Sequence, residues 1–382
     1  MRGKRVVVGY PAMVYAWELA WRRERNGNLS TLKELIKPLA EDGGQLTREQ
    51  ARGALAAILD EQVPEVETAA LLTALATRGE LAPELAGFVE ELRARATPVP
   101  LTEEERALLV DTCGTGGGGP ATFNISTGAA LVAAAAGALV AKHGNRAVTS
   151  RCGSADVLEA LGVPVTLGPE LAVECLRETG FVFLYAPMLH PAMKAVAGLR
   201  RALGFRTIFN LCGPLTNPAG ARSQVIGVLA PSRALLVART LIELQTTRRA
   251  FVVHGLDGLD ELTLTGESIT VRVEPAAEPM MKAARITPEM AGLPRATLEE
   301  LSGGDAEANA AILYDVMTGI VGPRRDIVLY NAAAALVAVG LAEDLREGVA
   351  LGAEAIDSGE AASTLAKLRM FGEKWGGKSA VV

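Results

Sequence analysis

Cysteine is scarce in this chain: four in 382 residues, at positions 113, 152, 175 and 212, far apart and without a C-x-x-C pair. That excludes a zinc ribbon or a disulfide framework and leaves buried or loop thiols in a reducing, cytoplasmic setting. A thiol nucleophile built from Cys113 and His143 finds no support elsewhere in the motif around it. Positive charge in excess is also lacking, since the formal net charge is -6 and the pI is near 5.4, which argues against a nonspecific nucleic-acid binder. There is no membrane-spanning run and no internal repeat. A secretory signal is missing too: Arg2, Lys4 and Arg5 precede an apolar run, but Pro11 interrupts it, Glu18 follows, and no small-residue cleavage site is visible. Residues 1–30 read instead as a dispensable extension with a short helix at 14–25, where Trp17 and Trp21 share a face.

What is present is ordinary for a folded, soluble protein: 49 % hydrophobic and 21 % charged residues, with length enough for two domains. The stretch 31–100 is helical in pattern and reads as a small all-helical domain. Residues 47–60 put Ala51, Leu55, Ala56 and Leu59 on one stripe behind a Thr47-to-Gln50 capping box, and helices also fit 65–78 and 83–95. The turn at 97–101 closes that unit. Beyond Thr102 strand-like and helix-like runs alternate. Short apolar or β-branched runs at 108–110, 138–142, 163–166, 181–185, 224–229 and 249–254 read as strands, 261–265 and 268–273 as a hairpin, and 305–317 and 326–339 as helices. The expected fold is therefore α/β: a large domain over 104–382 with a mainly parallel sheet covered by helices, plus the small helical domain.

The stretch from Asp111 to Arg146 carries the chemistry. Glycines at 114, 116, 117, 118 and 119 strip the side chains from a turn, as a close approach of backbone to a ligand requires. Ser126 and Thr127 read as caps of a small-residue helix at 128–136 whose positive end points back at the loop, so an anion belongs there. Pro120 and Ala121 follow the last glycine, where a P-loop needs Lys and Ser or Thr. The second strand ends in Lys142, not in the acid of a dinucleotide site, and a lysine beside the loop favours a phosphate.

The blocks GTGG (114–117), NIST (124–127), KHGNR (142–146) and GSADVLEALG (153–162) resemble the anthranilate phosphoribosyltransferases. HPAMK (190–194), RTIFNLCGPLTNPAG (206–220), HGLDGLDE (254–261) and GGDAEANA (303–310) extend the match, in order, over roughly 350 residues. The resemblance implies transfer of a phosphoribosyl group from phosphoribosyl pyrophosphate to the amine of anthranilate, in tryptophan biosynthesis, by a homodimer joined through its helical domains. It also implies a segment at about 187–203 that returns to those helices. Phosphoribosyl pyrophosphate is implied at Gly114, Gly117, Gly118, Thr122, Asn124, Ile125, Ser126, Thr127, Lys142 and Ser154, with the Thr149–Ser150–Arg151 turn and Gly116 beside them. Anthranilate is implied at Gly114, His143, Asn145, His190, Arg200 and Gly213, with Pro214 in the facing loop. Ser126, Asp260 and Glu261 are the metal candidates, for two Mg²⁺ ions, and their hard oxygens suit that ion. No strong base is required, because an aromatic amine is neutral and nucleophilic at pH 7; the pyrophosphate leaving group needs the help, and Lys142 is assigned to it electrostatically. No contact with nucleic acid or membrane is expected.

Two rivals share parts of this pattern. A nucleoside phosphorylase lacks KHGNR and GPLTNP, and a non-catalytic nucleic-acid-binding relative would keep the fold and lose the site residues. Lys142, Asn145, Arg200, Asp260 and Glu261 are all retained. The chain departs from the family at Gly118, where the family has Asp, and at Leu189, where it often has His. The missing acid is expected to weaken phosphoribosyl pyrophosphate binding without abolishing turnover. Gly118→Asp should then lower the Michaelis constant for that substrate, and an unchanged constant would count against the role given to this position.

Overall fold

The computed structural model describes residues 31–116, 119–147, 151–274 and 280–375. Gly117, Gly118, Thr149, Ser150 and the extension at 1–30, with the helix read at 14–25, lie outside the described residues. The helical unit is formed by α1 (Lys33–Asp42), α2 (Arg48–Leu59), α3 (Glu65–Arg78) and α4 (Ala82–Ala94). Helix α2 starts where the sequence requires: Gln50 N donates to Thr47 Oγ1 at 3.1 Å and Thr47 N donates to Gln50 Oε1 at 2.9 Å.

Seven strands form one sheet: β1 (Leu109–Gly114), β2 (Leu139–Gly144), β3 (Phe181–Tyr185), β4 (Ser223–Gly227), β5 (Arg249–Gly255), β6 (Ser268–Glu274) and β7 (Met280–Ile286). Their order is β3-β2-β1-β4-β5-β6-β7. The first five strands run parallel, and β6 and β7 are antiparallel to their neighbours. The chain thus steps outward from β1 to β3, returns to β4, and steps outward the other way. The point of reversal lies between β1 and β4, and in open α/β sheets ligands bind outside the carboxyl ends of such a pair.

Helix α5 (Glu103–Leu108) leads into β1, and α6 (Ile125–Ala135), α7 (Ser154–Ala160), α8 (Pro169–Thr179), α9 (Ala186–Leu189), α10 (Lys194–Leu203), α11 (Phe209–Cys212) and α12 (Pro231–Leu244) fall between the strands. After β7 come α13 (Ala306–Met317), α14 (Pro323–Val339), α15 (Leu345–Asp357) and α16 (Glu360–Trp375). One core joins α6 and α14 to the first strands; α14 is buried along nearly its whole length and, beyond its charged first turn, almost entirely apolar, as an interior helix is. The other core is continuous from the helical unit to the sheet: Leu55, Leu71 and Phe88 belong with Val196 and Leu199 of α10 and with Ile226, Val252 and Val271 of the strands. Arg93 of α4 fastens the two further, donating to Leu215 O at 2.7 Å and to Thr246 Oγ1 at 2.8 Å.

Three local readings are corrected. Residues 163–166 are an irregular connection, not a strand; Val163 and Val165 are buried, and no strand among the described residues pairs with them. The hairpin partner of β6 is β7, while 261–265 form a loop whose backbone is satisfied by a side chain: Leu262 N donates to Asn331 Oδ1 at 2.9 Å and Asn331 Nδ2 donates to Leu262 O at 3.0 Å. A short apolar run signals burial and leaves pairing open. Finally, α6 begins at Ile125 with Asn124 at the N-cap, so Ser126 and Thr127 lie in its first turn and do not cap it.

Candidate active site

The carboxyl ends of β1 and β4 meet at Gly114 and Gly227, which are register partners. A Cβ on Gly114 would lie 2.6 Å from Asp260 Oδ2, and one on Gly227 would lie 1.8 Å from Asp260 O. These two glycines form the floor on which the Asp260–Glu261 loop rests. Gly227 was not singled out in the sequence; a glycine ending an apolar run at the height of the glycine loop was the available signal. The loop is shaped from its other side by Asp257, which accepts from Leu259 N at 3.2 Å and from Thr265 Oγ1 at 2.7 Å.

From this floor the two acids face different partners. Asp260 Oδ2 accepts from Gly116 N at 3.3 Å, under the guanidinium of Arg206, which donates to Gly116 O at 3.5 Å and lowers the Asp260 pKa through its charge. Glu261 meets the N–H and hydroxyl of Ser126. Burial pushes both carboxyl groups above the usual range, and the charge of Asp260 pushes Glu261 further, against the pull of Lys142. The two carboxyl groups are half-buried side by side and could hold a cation. With the Ser126 hydroxyl they make a hard-oxygen set too small to enclose an ion, the arrangement of Mg²⁺ sites completed by substrate phosphates. Among the described residues no group of three or more His, Cys, Asp and Glu assembles a metal cage.

Lys142 lies below this layer, 2 % exposed. Its ammonium donates to Thr112 O, to Thr112 Oγ1 at 3.3 Å and to Ser126 Oγ at 3.4 Å, so its three donors are engaged with β1 and the first turn of α6. In that first turn Ile125 and Thr127 are buried, and Thr127 Oγ1 has no hydrogen-bond partner among the described residues. Thr122 and Asn124 flank the turn, with Asn124 Nδ2 donating to Cys152 O at 3.3 Å. Ser154 opens α7 and donates to Asn145 O at 3.2 Å. Asn145 is exposed, its Oδ1 accepting from Arg146 N at 2.7 Å.

The second half of the site is built on the end of β2. His143 Nδ1 is 3.1 Å from Gly213 O, and since a carbonyl only accepts, Nδ1 carries the proton and Nε2 is a bare acceptor. His190, at the end of α9, stands 5.1 Å away ring to ring at 58°, and neither Nε2 has a hydrogen-bond partner among the described residues. Burial holds His143 down to about 3 and His190 down to about 4, so both rings are neutral at pH 7. The facing loop is fixed from below by residues given no role from sequence. Asp111 accepts from His143 N at 3.1 Å and from Asn217 Nδ2 at 2.8 Å, Asn217 Nδ2 also donates to Ala141 O at 2.7 Å, and Gln224 Nε2 donates to Pro214 O at 2.7 Å. Arg200 lies on α10 with its guanidinium 5.3 Å from the centre of the Phe209 ring, and no carboxylate pairs with it among the described residues. It makes no hydrogen bond to either histidine there.

Two family models match the chain: the helical bundle domain of a glycosyl transferase family over residues 33–96, and the a/b domain of that family over 106–362. The anthranilate phosphoribosyltransferase of Moorella thermoacetica is 50 % identical over 333 residues, spanning 87 % of this chain and 96 % of that protein. That of Anaeromyxobacter sp. strain Fw109-5 is 52 % identical over 322 residues, 83 % of this chain and 93 % of the relative. Among solved structures, the anthranilate phosphoribosyltransferase of Thermus thermophilus superposes with a TM-score of 0.80 at 44 % identity, covering 88 % of this chain and 98 % of the other. The Saccharomyces cerevisiae enzyme in complex with phosphoribosyl pyrophosphate and Mg superposes at 0.81 with 27 % identity, over 90 % and 98 % of the two chains.

Two predictions follow from the geometry. Gly227→Ala drives a methyl into the Asp260 backbone; it should destabilise the chain by about 1–3 kcal/mol, as overpacking does, and cut turnover sharply, and wild-type turnover in the variant would show that Asp260 does not need that floor. The histidines set an acid limit. Unfolded chains take up protons on His near 6.5 while the native rings do so only near 3 and 4, so their contribution is complete above 6.5 and is lost as pH falls. Asp111, raised by burial to about 6, acts in the opposite direction, its contribution being complete below the unfolded value and lost as pH rises through 6. His190→Asn should therefore lose less stability than the parent between pH 7 and pH 5, by about 2 kcal/mol. Equal losses in thermal unfolding at the two pH values would remove the buried neutral imidazole from the account.

Proposed function

The chain belongs to the anthranilate phosphoribosyltransferase family, and we propose that it performs the family's reaction at the crevice between β1 and β4. The phosphoribosyl group of phosphoribosyl pyrophosphate passes to the amine of anthranilate. The amine lone pair forms the N–C1 bond, the C1–O bond breaks with its electrons going to pyrophosphate, and the resulting aryl ammonium, a strong acid, sheds its proton. The products are N-phosphoribosylanthranilate and pyrophosphate, in tryptophan biosynthesis.

The reading is carried by the half-buried Asp260–Glu261 pair set opposite Gly116 and the start of α6. The phosphates of the donor belong to the loop around Gly114 and Gly116, with Gly117 and Gly118 in the same proposal, and to Thr122, Asn124 and the first turn Ile125–Ser126–Thr127, where the positive end of the α6 dipole favours negative charge. Ser154 and the turn ending at Arg151 close the other side. Lys142 acts electrostatically through its buried charge, holding Ser126 and offsetting Glu261. Asp260, Glu261 and Ser126 hold magnesium, two ions because the two acids face different partners, and the metal when bound neutralises charge on the pyrophosphate. Backbone donors aimed at the leaving oxygens supply the remainder of the stabilisation.

The acceptor lies against Gly114, Asn145, Gly213 and Pro214. Its carboxylate pairs with Arg200, whose planar fork matches it and which has no carboxylate partner among the described residues. The neutral Nε2 atoms of His143 and His190 accept from polar hydrogens of the ring substituents. Mixing the protein with anthranilate, phosphoribosyl pyrophosphate and Mg²⁺ should give a loss of anthranilate fluorescence with equimolar pyrophosphate release, abolished by a chelator. Absence of both signals at high substrate would overturn the reading. A homodimer joined through the helical unit belongs to the same proposal; the apolar side chains of Val66 and Leu81, 74 % and 37 % exposed, lie on that unit's surface. Light scattering should give twice the 39.9 kDa chain mass, and a single-chain mass would refute it.

A further inference from the structure

The block 303–310 has no part in the contacts proposed for either substrate, yet it is built into the underside of the phosphate site. The chain at 301–303 runs along the turn that leads into α6. Phe123 N donates to Leu301 O at 3.3 Å, Gly303 N donates to Ala121 O at 3.2 Å, and Thr122 and Ser302 form an isolated antiparallel bridge. A Cβ on Gly303 would lie 2.5 Å from Phe123 N, so this approach needs glycine. Asp305 then caps α13, accepting from Ala308 N at 2.9 Å, and the helix carries Asn309 back towards the turn.

Asn309 is 2 % exposed, and both ends of its amide are used. Gly304 N donates to Asn309 Oδ1 at 2.7 Å, which fixes which end is oxygen, and Asn309 Nδ2 donates to Asn124 Oδ1 at 2.9 Å. Asn124 in turn spends one N–H of Nδ2 on Cys152 O at 3.3 Å. Turned over, Asn124 would set its oxygen against the Cys152 carbonyl and its NH₂ against that of Asn309. One orientation of Asn124 is therefore compatible with its surroundings, and Asn309 dictates it.

We infer that Asn309 is a positioning residue for phosphoribosyl pyrophosphate, acting through Asn124 at the N-cap of α6 and touching no substrate itself. This deepens the phosphate-site reading given above and rests on it. With the orientation of Asn124 fixed, its second N–H keeps one direction for the donor's phosphates, at no cost of reordering when the substrate arrives. The acceptor half, built on β2 and the 213–217 loop, is not reached by this chain of bonds.

The test is a double-substitution cycle on the full chain. Asn309→Asp keeps the size and can still accept from Gly304, and it removes the donor to Asn124. In a variant that unfolds cooperatively, the KM for phosphoribosyl pyrophosphate should rise about fivefold or more, the loss of one buried hydrogen bond, while the KM for anthranilate stays within about twofold. In an Asn124→Ala background the same substitution should add less than about twofold, because the group it acts through is gone. An unchanged KM for phosphoribosyl pyrophosphate, equal rises for both substrates, or an undiminished effect in the Asn124→Ala background would overturn the inference. Should Asn309→Asp not fold, Asn309→Ser is put through the same cycle and judged by the same outcomes. An inactive parent chain overturns the phosphoribosyl-transfer reading and this inference with it; an active parent with an indifferent Asn309 variant overturns the inference alone.

Discussion

Two adjacent carboxyl groups, Asp260 and Glu261, are held half-buried where the strand order reverses, and much of their surroundings answers that charge. Burying acids beside one another raises the pKa of both. The surrounding groups answer the charge one by one: Gly116 N–H and the Arg206 guanidinium for Asp260, and the Ser126 N–H, the Ser126 hydroxyl and Lys142 for Glu261. The compensation is incomplete, and both groups stay above the usual carboxylate range. Paired glycines at the ends of β1 and β4 are the steric condition for it, because any side chain there would occupy the space of Asp260.

The half of the site built on β2 depends on a second buried acid, Asp111, where hydrogen bonds and the charge of Lys142 answer burial only in part and the pKa still rises to about 6. Asp111 spends its oxygens on His143 N–H and Asn217, and Asn217 passes the connection to Ala141. One carboxylate thereby sets the height of β2, the place of the 213–217 loop and, through the Gly213 carbonyl, the tautomer of His143. The loop is gripped from the helical side too, by Arg93. The core that runs without a break from the helical unit into the sheet makes those grips rigid rather than occasional.

The legible parts of the sequence were those in which chemistry and spacing are local. The Thr47 capping box marks the start of its helix, and alternating short apolar runs mark a covered parallel sheet; both are observed. The small-residue helix after the five glycines is observed too, though its cap falls to Asn124 and not to Ser126 or Thr127. The runs at 163–166 and 261–265 misled for one reason: burial selects the same side chains that strand pairing does. Asn331, which satisfies the backbone of the second run, is 69 residues away from Leu262 and left no sign near it.

By itself the amino-acid sequence determined the class of fold, the helical unit followed by an α/β unit, and the family. Those follow from hydrophobic period, capping and turn chemistry, and motif order, which are properties of neighbours along the chain. Only the tertiary structure decided what each residue answers to. It put Gly227 under Asp260, buried Lys142 with all its donors engaged, paired His143 with His190, and joined Asn124 to Asn309 across 185 residues. Hydrogen bonds and steric exclusion act over a few ångströms in space and are blind to separation along the chain, so these decisions had to wait for the folded arrangement.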